Sequence, residues 1–250
     1  MPKPRVALFI PCYINTLFPH VAMATMKLLE RFGYDVIYPE KQTCCGQPFA
    51  NSGADTETKP LAEHFINTFR GYDYIVAPSA SCVSMVKNHY APYVGNHPDY
   101  RHIQNSIYEI CEFLHDIVQP DHLGVSFPHS VTLHQSCHGL RELELGVSSE
   151  LALPFSSKVL SLLERVDDIR LIPMERADEC CGFGGMFSIQ EPELSTQMGR
   201  DKLTHAEATS AEYLAGFDSS CLMHLEGIAR REERKIRIVH VAEIFAGTLL

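Results

Sequence analysis

An α/β protein of two related halves, each a small parallel sheet flanked by helices, is what this 250-residue sequence predicts. Three observations predict it. Short β-branched apolar runs alternate with longer stretches of helical period, the order that yields parallel strands joined by right-handed crossovers. The whole series occurs twice. Each copy carries one cysteine pattern at the ends of its apolar runs: Cys12, Cys44-Cys45-Gly46 and Cys82, then Cys137, Cys180-Cys181-Gly182 and Cys221. The halves are therefore expected to be Rossmann-like and pseudo-symmetric, with eight of the nine cysteines at the carboxyl ends of strands.

The elements follow in order. Residues 6–10 read as a buried strand leading into Cys12, and residues 130–133 as its counterpart leading into Cys137. In the helix that follows, Val21, Ala24, Leu28 and Phe32 recur on one apolar face, and Gly33 is placed to end it. Both halves close this stretch on the same four residues, Leu28-Leu29-Glu30-Arg31 and Leu162-Leu163-Glu164-Arg165. Residues 35–39 and 168–173 are second strands, each ending in proline a few residues ahead of the Cys-Cys-Gly. Polar helical stretches then lead to third strands at residues 72–77 and 211–215, after which Ser79-Ala80-Ser81-Cys82 and Asp218-Ser219-Ser220-Cys221 supply the last cysteine. Residues 106–113 and 238–244 close the halves alike, and residues 120–124 read as a linker dividing the chain into 1–120 and 121–250, one cysteine set in each. Loops that leave the carboxyl edge of an open α/β sheet meet there, so cysteines distant in sequence can converge.

Composition sets limits on function. A hydrophobic fraction of 45% is enough for a sizeable core. Net charge is −10 and uneven: residues 1–120 hold 9 Lys/Arg and 11 Asp/Glu, residues 121–250 hold 12 and 20. That acidity argues against a nucleic-acid partner. The apolar run near the start is too brief for a signal-peptide core and far short of the roughly 20 residues of a membrane span, so a cytoplasmic protein without a membrane span is expected. In a reducing cytosol, clustered cysteines read as metal ligands rather than as disulfides, and an odd count fits full pairing poorly.

Four thiolates hold one [4Fe–4S] cluster or one closed Zn²⁺ site. Zinc sites usually present paired C-x₂₋₄-C knuckles, whereas here a vicinal pair joins single cysteines far away, which favours a multi-iron cluster; Zn²⁺ in one or both sites is the alternative. Gly46 and Gly182 supply the backbone freedom a tight loop needs. Gly182-Phe183-Gly184-Gly185 lacks both the G-x-G-x-x-G spacing and a Walker lysine, so no nucleotide site is expected. Cys111 falls on an apolar helical pattern, aligns internally with Ala242, and reads as core.

His134, His138 and Arg141 around Cys137 are the catalytic candidates: His138 can donate to cluster sulfur and Arg141 can clamp a carboxylate. Packing for the histidines and a surface ion pair for Arg141 are the favoured readings. His224 follows Cys221 by three residues but is superfluous beside four cysteines. Residues 230–235 read as a solvated helix end of mixed charge or a partner-docking site.

The doubled motif resembles the CCG-domain (cysteine-rich) iron–sulfur proteins, which include the cysteine-rich subunit of heterodisulfide reductase and the glycolate oxidase iron–sulfur subunit. Within that group, residues 9–13 (Phe-Ile-Pro-Cys-Tyr), 28–31, 38–48, 50–53 and 179–185 resemble the lactate utilization protein A family over essentially the whole chain. The resemblance implies an iron–sulfur electron-transfer subunit, non-catalytic or co-catalytic, of a cytoplasmic complex oxidising L-lactate to pyruvate. Its implied partners are a ferredoxin-type iron–sulfur subunit and a third lactate-utilization subunit. Two alternatives stand beside it, a zinc-binding structural or interaction subunit and a thiol–disulfide reductase of the heterodisulfide reductase kind. Against the last, Met85 and His224 stand where that branch ends each motif in a fifth cysteine, which favours an ordinary [4Fe–4S] centre in each half.

Overall fold

The computed structural model describes residues 4–248; the start of the basic opening, residues 1–3, and residues 249–250 lie outside the described residues. The first half runs β1 (Arg5–Leu8), α1 (Cys12–Leu17), α2 (Pro19–Arg31), β2 (Asp35–Ile37), α3 (Gln47–Asn51), α4 (Asp55–Phe69), β3 (Tyr74–Ala77), α5 (Ala80–His89), α6 (Ala91–Val94), α7 (Tyr100–Ser106), β4 (Ile107–Glu109) and α8 (Ile110–Phe113). The second runs β5 (Ser130–Leu133), α9 (Lys158–Leu163), β6 (Arg170–Leu171), α10 (Met186–Gln190), α11 (Pro192–Ala208), β7 (Tyr213–Gly216), α12 (Ser219–Arg231), β8 (Arg237–His240) and α13 (Val241–Ala246). Two four-stranded, wholly parallel sheets result, β2-β1-β3-β4 and β6-β5-β7-β8, so the strand order is the same in both.

Three of the four residues expected in the α2 stripe, Val21, Ala24 and Leu28, are buried in the helix, while Phe32 is its half-buried C-cap, and Gly33 turns the chain at φ +85°. In the second half the matching helix is short. Only Lys158–Leu163 is α-helical, and the chain between Cys137 and that helix passes through a π-helical turn, His138–Glu142, and a 3₁₀ turn, Ser149–Leu151. Pro154 and the left-handed Glu144 and Ala152 interrupt any longer helix there. The second strand shrinks likewise, from the six residues expected to Arg170–Leu171, because Asp168 is left-handed at φ +62° and Pro173 closes the other end.

The halves share a core. α2 packs on α13 and α8 on α9, a pseudo-symmetric pair of seams, and one continuous apolar cluster holds buried residues of both halves, from Val6 to Ala246. Hydrogen bonds cross the boundary as well: the Ser81 N–H donates to Asp218 Oδ2 (2.6 Å), and His240 Nε2 lies 3.1 Å from the Pro78 carbonyl. The expected linker is pinned, with Leu123 buried and Arg165 donating to the Pro120 carbonyl (2.6 Å). Among the described residues, no helix is long and apolar enough to cross a membrane.

Candidate metal centre

Each cysteine set is assembled by three loops at the carboxyl edge of its sheet. After β1 the chain turns into α1, whose first residue is Cys12; after β2 comes Cys44-Cys45; after β3, α5 carries Cys82 in its first turn. In the second half Cys137 precedes the π-helical turn, Cys180-Cys181 follow β6, and Cys221 lies in the first turn of α12. Gly46 and Gly182 bend the Cys-Cys loops at φ +84° and +88°, and their N–H groups donate to the Sγ of Cys44 (3.4 Å) and Cys180 (3.3 Å). The Sγ atoms of Cys12 and Cys44 are 3.9 Å apart, well beyond an S–S bond of about 2.05 Å. All nine cysteines are free thiols.

The thiols of each set are chained by contact, Cys12 to Cys44 to Cys45 to Cys82, and Cys137 to Cys180 to Cys181 to Cys221. A hydrogen shared with Cys12, and another with Cys45, draws Cys44 down to about 3, while the same contacts, with burial, push Cys12 and Cys45 up. Cys180 falls to about 2 and Cys137 and Cys181 rise for the same reasons. Cys12 and Cys45, like Cys137 and Cys181, thus hold their protons, first through the hydrogen shared with a neighbouring sulfur and then because burial is in conflict with ionisation. A metal centre removes that conflict, since a bound cation deprotonates its thiols outright. Four converging thiols with backbone N–H donors at their rim fit such a centre.

Both sets face one cavity of about 370 Å³ between the halves, lined by all eight cysteines together with residues such as Tyr13, Gln47, His138 and Phe183. Two cross-half contacts span it: the Tyr13 and Phe183 rings meet edge-on at 6.1 Å, and His138 Nε2 lies 3.3 Å from the Gln47 side-chain amide. The sequence matches the Cysteine-rich domain family, CCG, over residues 6–87 and 131–226, one match per cysteine set. Lactate utilization protein A of an Exiguobacterium species is 39% identical over 248 residues, covering 96% of each chain, and its namesake in Oceanobacillus iheyensis is 39% identical over 244, again covering 96% of each. The chain belongs to the CCG family, in its lactate utilization protein A branch. Among solved structures, a hypothetical protein from Helicobacter pylori superposes with a TM-score of 0.57 at 9% identity; the match takes in 99% of this chain and 49% of that one, and the likeness is one of fold.

The remaining candidates separate cleanly. Arg141 is engaged by a carboxylate of its own chain, Glu150, through Nε (3.1 Å) and Nη2 (2.5 Å), so the favoured surface ion pair is observed and the fork considered as a carboxylate clamp is filled. His138 lines the cavity. His134 is buried beside the second cysteine set, and burial, then the charge of Lys202, hold it neutral with a pKa of about 3. Of the two positions in place of a fifth cysteine, Met85 is in the core and His224 Nε2 reaches the Ser195 carbonyl (3.2 Å). Cys111 is fully buried at the start of α8, as its apolar pattern indicated. The pattern did not single out Tyr13 and Gln47 as cavity residues, nor Lys202, whose buried ammonium donates to the carbonyls of Arg176 (2.8 Å) and Ala177 (3.3 Å) ahead of Cys180. Adjacency to a cysteine was the only available signal for the first, and a lone lysine on the core face of α11 for the last.

Proposed function

We propose that the chain is an iron–sulfur electron-transfer subunit in lactate utilization, holding one [4Fe–4S] cluster in each cysteine set. The carrying observation is the pair of four-thiol sets opening on one cavity, in a chain whose relatives are named for lactate utilization. When bound, such a cluster supplies one-electron reduction and re-oxidation, with a potential tuned by burial and by hydrogen bonds to sulfur. The chain's own residues do the rest: eight cysteines as ligands, and Gly46 and Gly182 as N–H donors to sulfur. On this reading the protein works in the cytoplasm with a ferredoxin-type iron–sulfur subunit and a third subunit, in a complex that oxidises L-lactate to pyruvate.

One observation favours zinc as a second reading. Zn–S bonds of about 2.3 Å set tetrahedral S···S edges of about 3.8 Å, close to the 3.9 Å between Cys12 and Cys44. Metal and sulfide analysis of anaerobically purified and reconstituted protein separates the two. The iron–sulfur reading expects brown protein with about four irons and four sulfides per set, and Cys44→Ser and Cys180→Ser each removing or altering one centre. Colourless protein with one zinc per half, or either variant retaining its full iron content and spectrum, overturns it.

A further inference from the structure

The two halves put chemically opposite side chains beneath their cysteine sets. Three residues before the first cysteine stands Phe9 in one half and His134 in the other. On the long helix after the Cys-Cys-Gly loop, with Thr58 of α4 matched to Ser195 of α11, Phe65 corresponds to Lys202 and Phe69 to Ala206. In the first half these positions form a dry aromatic block: Phe9 meets Phe65 and Phe69 edge-on at 4.9 and 5.6 Å, and all three are at most 2% exposed. In the second half the corresponding position is an imidazole, 1% exposed, with neither ring nitrogen hydrogen-bonded.

An orphaned buried polar group costs about 1–3 kcal/mol, and Phe9 demonstrates that an apolar ring fills this position in the fold. Packing therefore gives no reason for a histidine. The sulfurs do: a ring nitrogen of His134 and the Sγ atoms of Cys181 and Cys221 all lie within 4.8 Å of one another. Neutral imidazole and thiolate are natural co-ligands, in Cys/His zinc sites and in iron–sulfur centres where histidine replaces cysteine. We propose that His134 takes the place of one of the four thiolates as a nitrogen ligand of the second metal centre, which makes that centre a mixed sulfur–nitrogen site while the first is held by sulfur alone. The proposal rests on the metal-centre reading above and exchanges one of its eight cysteine ligands for a histidine, so that the two centres are chemically different.

The full chain labelled with ¹⁵N-histidine, purified and reconstituted without oxygen, tests this by electron–nuclear double resonance on the reduced centres, or on the Co²⁺-loaded protein if the sites hold zinc. The expected result is one strongly coupled histidine nitrogen, retained in Cys44→Ser, where only the second centre is intact, and lost in His134→Phe. Wild-type protein with both centres filled and no coupled histidine nitrogen overturns the proposal whatever the variants do, and so does a coupling that survives in His134→Phe. Protein that takes up no metal in either set overturns the metal-centre reading and this inference together.

Discussion

Gly46 and Gly182 have the same backbone shape but not the same space. A Cβ on Gly46 would rest 3.5 Å from Thr58 Cγ2, an ordinary contact, whereas one on Gly182 would lie 2.5 Å from the Ser195 carbonyl oxygen and 2.7 Å from Met198 Cβ. Left-handed φ costs an L-residue about 1–2 kcal/mol, and forcing backbone apart adds about 1–3 more. Gly46→Ala should thus lower stability by about 1–2 kcal/mol with both centres kept. Gly182→Ala should cost about 3 kcal/mol or more and empty the second centre, because Ser195 sits on α11 and the Cys180-Cys181 loop must move away from it. Urea unfolding with metal analysis of each variant checks this; equal losses for the two would contradict it. The same asymmetry accompanies His134 and Lys202: the second cysteine set is the more tightly determined of the two.

At the scale of elements, the fourth strand of each sheet feeds a short buried helix through a capping box. Glu109 caps α8, accepting from the N–H groups of Cys111 (2.6 Å) and Glu112 (3.4 Å), and His240 caps α13, accepting from Ala242 (3.1 Å). Burial acts on them in opposite senses, raising Glu109 to about 8 and lowering His240 to about 4. A carboxyl raised above its unfolded value of 4.5 stabilises the fold fully below that value and loses this contribution as pH rises to about 8. The histidine, lowered from 6.5, contributes above 6.5 and loses it as pH falls to about 4. Between pH 6.5 and 8, Glu109→Gln should therefore gain stability on wild type by up to about 1.4 kcal/mol per pH unit, measured as the difference between paired denaturation curves; a pH-independent difference would sink the assignment. These caps also mark what was legible in the sequence. The succession of parallel strands and the three cysteine loops could be read because β-branched runs, helical stripes and the duplication agreed with one another. The short β6 and α9 could not, since left-handed Asp168 and Ala152 leave no periodic trace. Nor could the unpartnered ring nitrogens of His134, although its packing was read, or the common cavity, which depends on how two sheets dock.

At the scale of the molecule, that docking is extensive enough to make the halves one folding unit. Every residue of α13, from Val241 to Ala246, is buried, and its principal neighbour outside its own sheet is α2 of the other half. The Arg31 guanidinium of α2 donates to the Phe245 carbonyl across this seam, and Lys158 of α9 reaches Asp116 (2.5 Å) across the other. Separating the halves would expose side chains such as Leu28, Val241 and Phe245 at about 1.5–3 kcal/mol each, and a handful of these equals the total of about 5–15 kcal/mol that holds a typical domain. Neither residues 1–120 nor residues 121–250 should fold alone, and the intact chain should melt in one calorimetric transition with both centres lost together. A Cys44→Ser chain, deprived of the first centre, should still melt as a single unit at lower temperature, since the seams and not the metals join the halves. Two resolved transitions in either protein, or a soluble folded fragment of one half, would show instead that the shared cavity lies between independent domains.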